Sequence, residues 1–156
     1  MLRLGREPVS EFLPEETLYL RYASNHFLEG QLDPAAIRSQ PGQSVNRGQF
    51  SEPEDVLFSE FGLFDGFGVI GFWVRDIPIE LVKANGPAYC FFMTHTPLDQ
   101  NYAHSEINSD QIPRTGQIKR PSKTVSLEFR IALCKKIKRE QILIEAVRAI
   151  GESPQN

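Results

Sequence analysis

The 156-residue chain is 40% hydrophobic and 24% charged and carries a formal net charge of −3, which predicts one soluble globular domain spanning residues 1–156. It has no apolar run long enough to cross a bilayer and no apolar signal-peptide region near residue 1, which argues against a membrane protein and an exported one. We therefore expect a cytoplasmic location, no membrane partner, and reduced thiols at Cys90 and Cys134 rather than a disulfide.

The first regular element is predicted to be a strand over residues 18–22. Residues 1–14 are expected to be irregular because glycine and proline interrupt them. Leu18 and Leu20 then share one face of the strand, which turns Arg21 to the opposite face. An arginine in that position is expected to face a cleft or an acid; the alternative is an edge-strand arginine in solvent.

Helical turns are predicted in three places, at residues 26–38, 51–59 and 76–85. In the first of these, Asp33 followed by proline is a typical helix start. In the second, Ser51 and Glu54 have the spacing of a capping box, in which each side chain bonds to a backbone N–H at the start of the helix.

A polar segment at residues 39–48 is expected to be a loop or a short extended stretch. Its Ser44, Asn46 and Arg47 supply a hydroxyl, an amide and a guanidinium, which together suit a phosphate or a ribose. The alternative is ordinary turn chemistry, for which serine, asparagine and glycine are equally typical.

Three more strands are predicted, at residues 68–75, 88–96 and 101–107. The first two are nearly all apolar, which is typical of strands buried on both faces. Residues 97–100 connect the last two, so an antiparallel hairpin is expected. In its second strand, alternation places Tyr102, His104 and Glu106 on one face.

That face is the strongest candidate for chemistry in the sequence. His104 and Glu106 are the candidate catalytic residues, because histidine exchanges protons near neutral pH and a carboxylate serves as a base or stabilises a developing cation. Tyr102 is a candidate for stacking on a base or a nicotinamide ring. The alternative is a solvent-facing strand, on which polar residues alternate without any function.

The same stretch contains possible metal ligands, but a metal site is not predicted. His95, Asp99, His104 and Glu106 lie close enough in sequence to supply two histidines and a carboxylate. Their spacing matches no zinc signature, and neither cysteine is placed to help.

The last third of the chain is predicted to contain a polar loop at residues 108–122, followed by two segments that each fit more than one structure. Residues 123–138 fit a strand or a helix, and their composition and basic end favour the helix. Residues 140–150 fit a further helix, or a short strand at 142–144 followed by a tail. Residues 151–156 are expected to fray.

Charge is distributed unevenly along the chain. Residues 1–113 have a net charge of −9, whereas residues 114–139 have a net charge of +8. Such asymmetry is typical of a surface for nucleic acid or an acidic protein. The alternative is that the basic segment neutralises an acidic body. The candidate contacts are Lys119, Arg120, Lys123, Lys135, Lys136, Lys138 and Arg139.

These elements predict an α+β domain with a mainly antiparallel sheet of four or more strands and helices packed on one face. The central strands are expected to be residues 68–75 and 88–95. The strands at 18–22 and 102–107 are expected to lie beside them.

Three of the segments resemble ADP-ribosyltransferase-like toxin domains. The parts that match are an arginine ending a first strand, Arg21; a serine in a middle segment, Ser44 in SVNR; and a glutamate in a strand motif, Glu106 in HSE. The resemblance implies that Arg21 holds NAD, Ser44 frames the nicotinamide and Glu106 stabilises the ribosyl cation. The chain lacks the Ser-Thr-Ser triplet of that family, and His104 stands where Glu or Gln often does. The pattern PLDQNYAHSEI also resembles small bacterial proteins.

Two functions follow from the sequence. The first is a small enzyme of toxin or defence type that acts on a nucleotide, with NAD as the candidate cosubstrate bound by Arg21, Ser44, Asn46, Arg47 and Tyr102. It requires Arg21, Arg47, His104 and Glu106 to converge in one cleft. The second is a non-catalytic protein that binds nucleic acid or an acidic protein through residues 114–139, with affinity that falls steeply with salt.

Overall fold

A computed structural model describes residues 11–38, 42–59, 62–82, 86 and 88–146 of the chain. Within those ranges the strands are β1 (Thr17–Tyr22), β2 (Phe27–Leu28), β3 (Gln31–Leu32), β4 (Gln43–Arg47), β5 (Phe58–Ser59), β6 (Gly62–Leu63), β7 (Gly68–Trp73), β8 (Glu80–Val82), β9 (Ala88–His95), β10 (His104–Ile112) and β11 (Ile142–Ile144). One α-helix, α1 (Lys123–Lys136), lies between β10 and β11.

Seven strands form one antiparallel sheet in the order β11-β7-β1-β4-β10-β9-β8, and two small hairpins stand apart from it. The predicted antiparallel sheet is therefore confirmed, as is the hairpin of β9 and β10. The prediction of which strands are central is wrong. β4 occupies the middle of the sheet, and the apolar β7 and β9 are each next to an edge strand.

The pleat divides the sheet into two faces with different contents. Leu18 pairs with Arg47 and Tyr19 with Asn46, so alternate residues of β1 and β4 share a face. We call the face that carries Tyr19 and Asn46 the groove face. The opposite face, which carries Leu18, is the core face.

The hydrophobic core joins side chains of the sheet with the buried side of α1. The buried cluster includes Leu18, Leu20 and Ile107 from the sheet and Val125, Phe129 and Leu133 from α1. The rings of Phe91 and Phe129 stack with centroids 4.2 Å apart. The ambiguous segment 123–138 is thus a helix, begun by Ser122, whose side chain accepts a hydrogen bond from the backbone N–H of Val125.

The predicted helical turns before β9 are only partly present. Asp33 does accept a hydrogen bond from Ala35 N and starts a short 3-10 turn, as expected. The turn at Pro53–Leu57 is preceded by Glu52 rather than Ser51, because Asp55 accepts from Glu52 N while Ser51 Oγ donates to Arg47 O. These segments are 3-10 turns of three to five residues rather than α-helices.

Two predicted helical segments are strands. The first half of 26–38 forms the β2–β3 hairpin, whose turn uses Glu29 and Gly30 at positive φ. Part of 76–85 forms the edge strand β8, which pairs with β9. In both places short apolar stretches have too little periodicity to separate a helix from a strand, and pairing with a neighbour decides.

The C-terminal part also differs from its prediction. β10 continues to Ile112, so the polar loop begins at Pro113 rather than at residue 108. The strand alternative for 142–144 is confirmed by β11, which pairs with β7. The predictions for residues 1–10 and for the tail 151–156 lie outside the described residues.

The two cysteines are free thiols, as expected. Cys134 is buried and Cys90 is half-buried. Burial raises the pKa of the Cys134 thiol to about 12, which leaves it protonated and inert. In the described ranges, no helix combines the length and the apolar character that a membrane span needs.

Candidate functional site

An open groove of about 1460 Å³ lies on the groove face. It lies where β1 and β4 separate, since these strands pair only at Leu18 with Arg47 and at Tyr19 with Asn46. Beyond that point each strand continues without pairing to the other. Among the side chains that line the groove are Arg21, Ser44, Asn46, Tyr102 and His104.

Arg21 lies on the groove face two residues beyond Tyr19. Its guanidinium carbon is 3.6 Å from the ring centre of Phe64 and 5.4 Å from that of Phe67. One N–H group donates to Val56 O at 3.5 Å, and no described residue accepts from the others. Burial lowers the pKa of Arg21 from its ordinary value, but a guanidinium remains charged. Arg21 therefore presents a fixed cation whose remaining donors are available to a ligand.

Ser44 and Asn46 lie on the same face of β4. Asn46 is only 2% exposed, and its side-chain oxygen accepts from Asn101 Nδ2 at 2.8 Å. Its own Nδ2 is buried and has no partner among the described residues. A buried amide donor without a partner costs free energy, so this donor favours a ligand in the groove. Ser44 is exposed to the groove.

His104 is held by hydrogen bonds at both ring nitrogens. Its Nδ1 is 2.8 Å from the carbonyl oxygen of Thr96 and 2.9 Å from the Thr96 hydroxyl. Its Nε2 is 3.1 Å from Ser44 Oγ. Two residues further along the same face, Glu106 lies directly opposite Ser44 across the β4–β10 pair.

Glu106 does not line the groove itself, but its cross-strand neighbour Ser44 does. The half-buried carboxylate of Glu106 makes no hydrogen bond or ion pair with any residue that the structure describes. An anion held beside a groove without a partner is available to a positive charge that develops there.

Tyr102 reaches the groove from a turn rather than from a strand. β10 begins at His104, so Tyr102 lies before the strand and does not take part in its alternation, contrary to the prediction. Its ring packs edge to face against those of Phe50 and His95, with both centroids 5.0 Å away. Tyr102 thus belongs to an aromatic wall of the groove.

Arg47 does not join the other predicted residues. It is fully buried on the core face, where Nε donates to Glu16 Oε2 at 2.6 Å and Nη2 to Glu16 Oε1 at 2.7 Å. A further N–H bond goes to Glu11 O, and the guanidinium lies 3.8 Å from the ring centre of Phe12. The pleat turns Arg47 away from Asn46, its neighbour in sequence. Of the two arginines expected in the cleft, Arg21 lines it and Arg47 does not.

The two histidines among the possible metal ligands, His95 and His104, lie on opposite faces. His95 pairs with Ser105 in the β9–β10 ladder, so it projects on the core face, whereas His104 projects on the groove face. Across the described ranges, no three His, Cys, Asp or Glu side chains are grouped to hold a metal ion.

The basic residues of 114–139 are mostly at the surface. Arg114 pairs with the buried Asp110 at 2.9 Å, and Arg139 pairs with Glu145 at 3.4 Å. Hydrogen bonds from Thr115, Arg114 and backbone N–H groups outweigh burial and lower the pKa of Asp110 well below its usual range. The exposed members near or on α1 are Arg120, Lys123, Lys135, Lys136, Lys138 and Arg139.

Sequence reasoning missed four groups of the site. The rings of Phe64 and Phe67 pack against the guanidinium of Arg21. Thr96 hydrogen-bonds to His104, and Asn101 hydrogen-bonds to Asn46. Their contacts connect residues up to 55 positions apart, as in the pair Asn101–Asn46, so no local spacing shows them. One signal was present, since an arginine expected to face a cleft needs a partner and the GLFDGFG segment is rich in aromatic residues.

No family model, no curated protein and no solved structure matches this chain.

Proposed function

We propose that the chain is a small enzyme that transfers the ADP-ribosyl group of NAD at the groove, as part of a toxin or defence system. The observation that carries this proposal is the placement of Arg21, Ser44 and Glu106. They project from three strands, β1, β4 and β10, that are direct neighbours in that order. These three residues were named together from the sequence resemblance, which says nothing about the order of the strands in the sheet.

The three side chains also lie on one face of the sheet. Tyr19 and Asn46 are cross-strand partners on the groove face. Arg21 is two residues from Tyr19, and Ser44 is two residues from Asn46. Ser44 in turn pairs with Glu106. All three therefore share the groove face, at the point where β1 and β4 separate. This row of Arg21, Ser44 and Glu106 places a cation and a hydroxyl in the groove and an anion beside it.

The chemistry of NAD suits that row. Its phosphates are anionic and match the guanidinium of Arg21, whose N–H groups other than the one on Val56 O have no described acceptor. Cleavage of the bond between ribose and nicotinamide leaves positive charge on the ribose. Glu106 is the anion that stabilises this charge, since no described residue neutralises its carboxylate.

The aromatic and amide groups around the row add binding surface for the adenine and nicotinamide bases of NAD. Tyr102 and Phe50 form one wall, and Asn46 supplies a buried amide donor that no described residue accepts from. We propose as well that α1 covers the core face and leaves the groove face as the open side. The stacking of Phe129 on Phe91, a core-face residue, supports this arrangement.

The test is release of nicotinamide from NAD, measured by chromatography with a cell extract present as a source of acceptors. We expect the wild-type chain to release nicotinamide and the Glu106→Gln variant to do so about 10²- to 10³-fold more slowly, because a preorganised charge is lost. Glu128→Gln is the matched control, since Glu128 is an exposed glutamate on α1. A wild-type chain that neither releases nicotinamide nor gains thermal stability with NAD contradicts the proposal.

A second candidate rests on the exposed basic residues of α1 and its C-terminal end. Apart from Glu128, residues 114–139 contain no acid to offset them. This function is supported if the chain binds a DNA duplex or single strand with an affinity that falls as the salt concentration rises. Binding that is absent at low salt removes it, and nicotinamide release is unaffected in either case.

A further inference from the structure

The Ser44–His104–Thr96 chain of hydrogen bonds is not accounted for by binding NAD. His104 Nδ1 is 2.8 Å from the carbonyl oxygen of Thr96, and His104 Nε2 is 3.1 Å from Ser44 Oγ. Ser44 lies at the groove and His104 lines it. The imidazole is therefore anchored on one side and directed toward the groove on the other.

The anchor determines which ring nitrogen carries the proton. A carbonyl oxygen only accepts hydrogen bonds, so Nδ1 must be the donor to Thr96 O. In the neutral imidazole Nε2 then has a lone pair, and the Ser44 hydroxyl donates to it. His104 thus presents a basic nitrogen at the groove, within hydrogen-bond distance of a hydroxyl.

Glu106 lies on the same face two residues from His104, so the site holds a carboxylate and an imidazole side by side. These groups suit two different tasks. The carboxylate stabilises positive charge on the ribose, and the imidazole removes a proton from whatever attacks it.

We propose that His104 Nε2 is the general base for the transfer and that the acceptor is a hydroxyl group. This inference rests on the proposed function and names the acceptor class for the same groove. Ser44 Oγ shows the geometry in which a hydroxyl donates to Nε2. A neutral hydroxyl needs such a base, because it is almost entirely protonated at neutral pH.

The step is balanced without any further reactant. The acceptor oxygen forms a bond to the ribose carbon as the bond from that carbon to the nicotinamide nitrogen breaks. The electron pair of the broken bond goes to nicotinamide and removes its positive charge. The hydroxyl proton goes to His104 Nε2, and it leaves to solvent afterwards.

The test compares acceptors that carry a proton with one that does not. Azide is an anion at neutral pH and attacks without losing a proton, whereas methanol must lose one. In the His104→Gln variant we expect transfer to methanol to fall about 10²- to 10⁴-fold and transfer to azide to stay within about 3-fold of wild type. The azide reaction also shows that the variant is folded and binds NAD.

A second variant tests the same role by chemical rescue. Added imidazole is expected to restore methanol transfer in His104→Ala at least about 10-fold, because it supplies the missing base in the space left by the side chain. Agmatine serves as a guanidine acceptor for comparison, and wild type is expected to modify it more slowly than methanol.

The outcomes separate this inference from the proposed function. If wild type releases no nicotinamide with any acceptor, the proposed function is wrong and the inference fails with it. If wild type reacts but His104→Gln loses the azide and methanol reactions equally, only the assignment of the base is overturned. Preference of wild type for agmatine over methanol overturns the acceptor class.

Discussion

Two arginines on neighbouring strands, Arg21 and Arg47, have opposite surroundings. Arg47 is fully buried and bonded through two nitrogens to Glu16. Arg21 is half-buried at an open groove, rests on Phe64 and has one described acceptor, Val56 O. Both looked alike in sequence, as arginines near polar residues in extended segments.

The difference comes from the pleat and not from the residues beside each arginine. Asn46 and Arg47 are adjacent in sequence and project from opposite faces of β4. Arg47 enters the core face, where an unpaired charge is too costly, and Glu16 neutralises it. Arg21 is on the other face, where a charge can remain available to a ligand.

The largest effect on stability is expected from Arg47. Replacing Arg47 with Met leaves Glu16, whose side chain is only 6% exposed, as a buried charge without its partner. We expect the free energy of unfolding to fall by about 3–5 kcal/mol, measured by urea denaturation. The double variant Arg47→Met, Glu16→Leu is the control and should recover much of the loss. A single variant as stable as wild type would show that the ion pair contributes nothing.

Much of the fold was predictable because patterns of apolar residues have direct structural consequences. β1 was predicted from alternation, β9 from a nearly continuous apolar run, and the β9–β10 hairpin from the short connection between its strands; the structure confirms all three. The edge strand β8 was predicted as a helical turn, because a three-residue strand has too few residues to show a period and is defined by its pairing with β9. The central place of the polar β4 was missed since its burial comes from its neighbours.

The candidate site was predictable in its residues and not in its arrangement. Arg21, Ser44 and His104 were named from residue type and position, and all three line one groove. Arg47 was grouped with them because strand face depends on register, and a polar segment such as SVNR has no apolar alternation to fix that register. The partners of His104 and Arg21 come from distant segments, which a single sequence does not connect.

A smaller effect, on binding rather than folding, is expected from Arg21. Replacing Arg21 with Met removes a cation that lines the groove, and we expect NAD affinity to fall about 10-fold, or about 1.4 kcal/mol, by titration calorimetry. Stability should change by no more than about 1 kcal/mol, because a cation over an aromatic ring contributes about that much. Equal loss of stability in the Arg21→Met and Arg47→Met variants would remove the distinction between the two arginines.

The smallest effect is a pH dependence that arises on the core face near Arg47. Burial lowers the pKa of His95, and the charge of Arg47 lowers it further, while Glu16 acts in the opposite direction and His104 adds to the lowering. The folded chain therefore binds a proton at His95 less readily than the unfolded chain, whose histidine pKa is about 6.5. Stability from this group is present above that pH and is lost as pH falls below it.

We expect the urea concentration at the unfolding midpoint of wild type to decrease as pH is lowered from about 7.5 to about 5.5. This interval spans the ordinary histidine pKa of about 6.5. The His95→Gln variant should show a shallower fall. His26 has a lowered pKa for the same reason of burial, so His26→Gln should remove another part of the slope. If the urea midpoint of His95→Gln depends on pH as steeply as that of wild type, folding does not disfavour protonation of His95 near Arg47. The core face would then tolerate a second positive charge beside the Arg47–Glu16 pair, which its burial argues against.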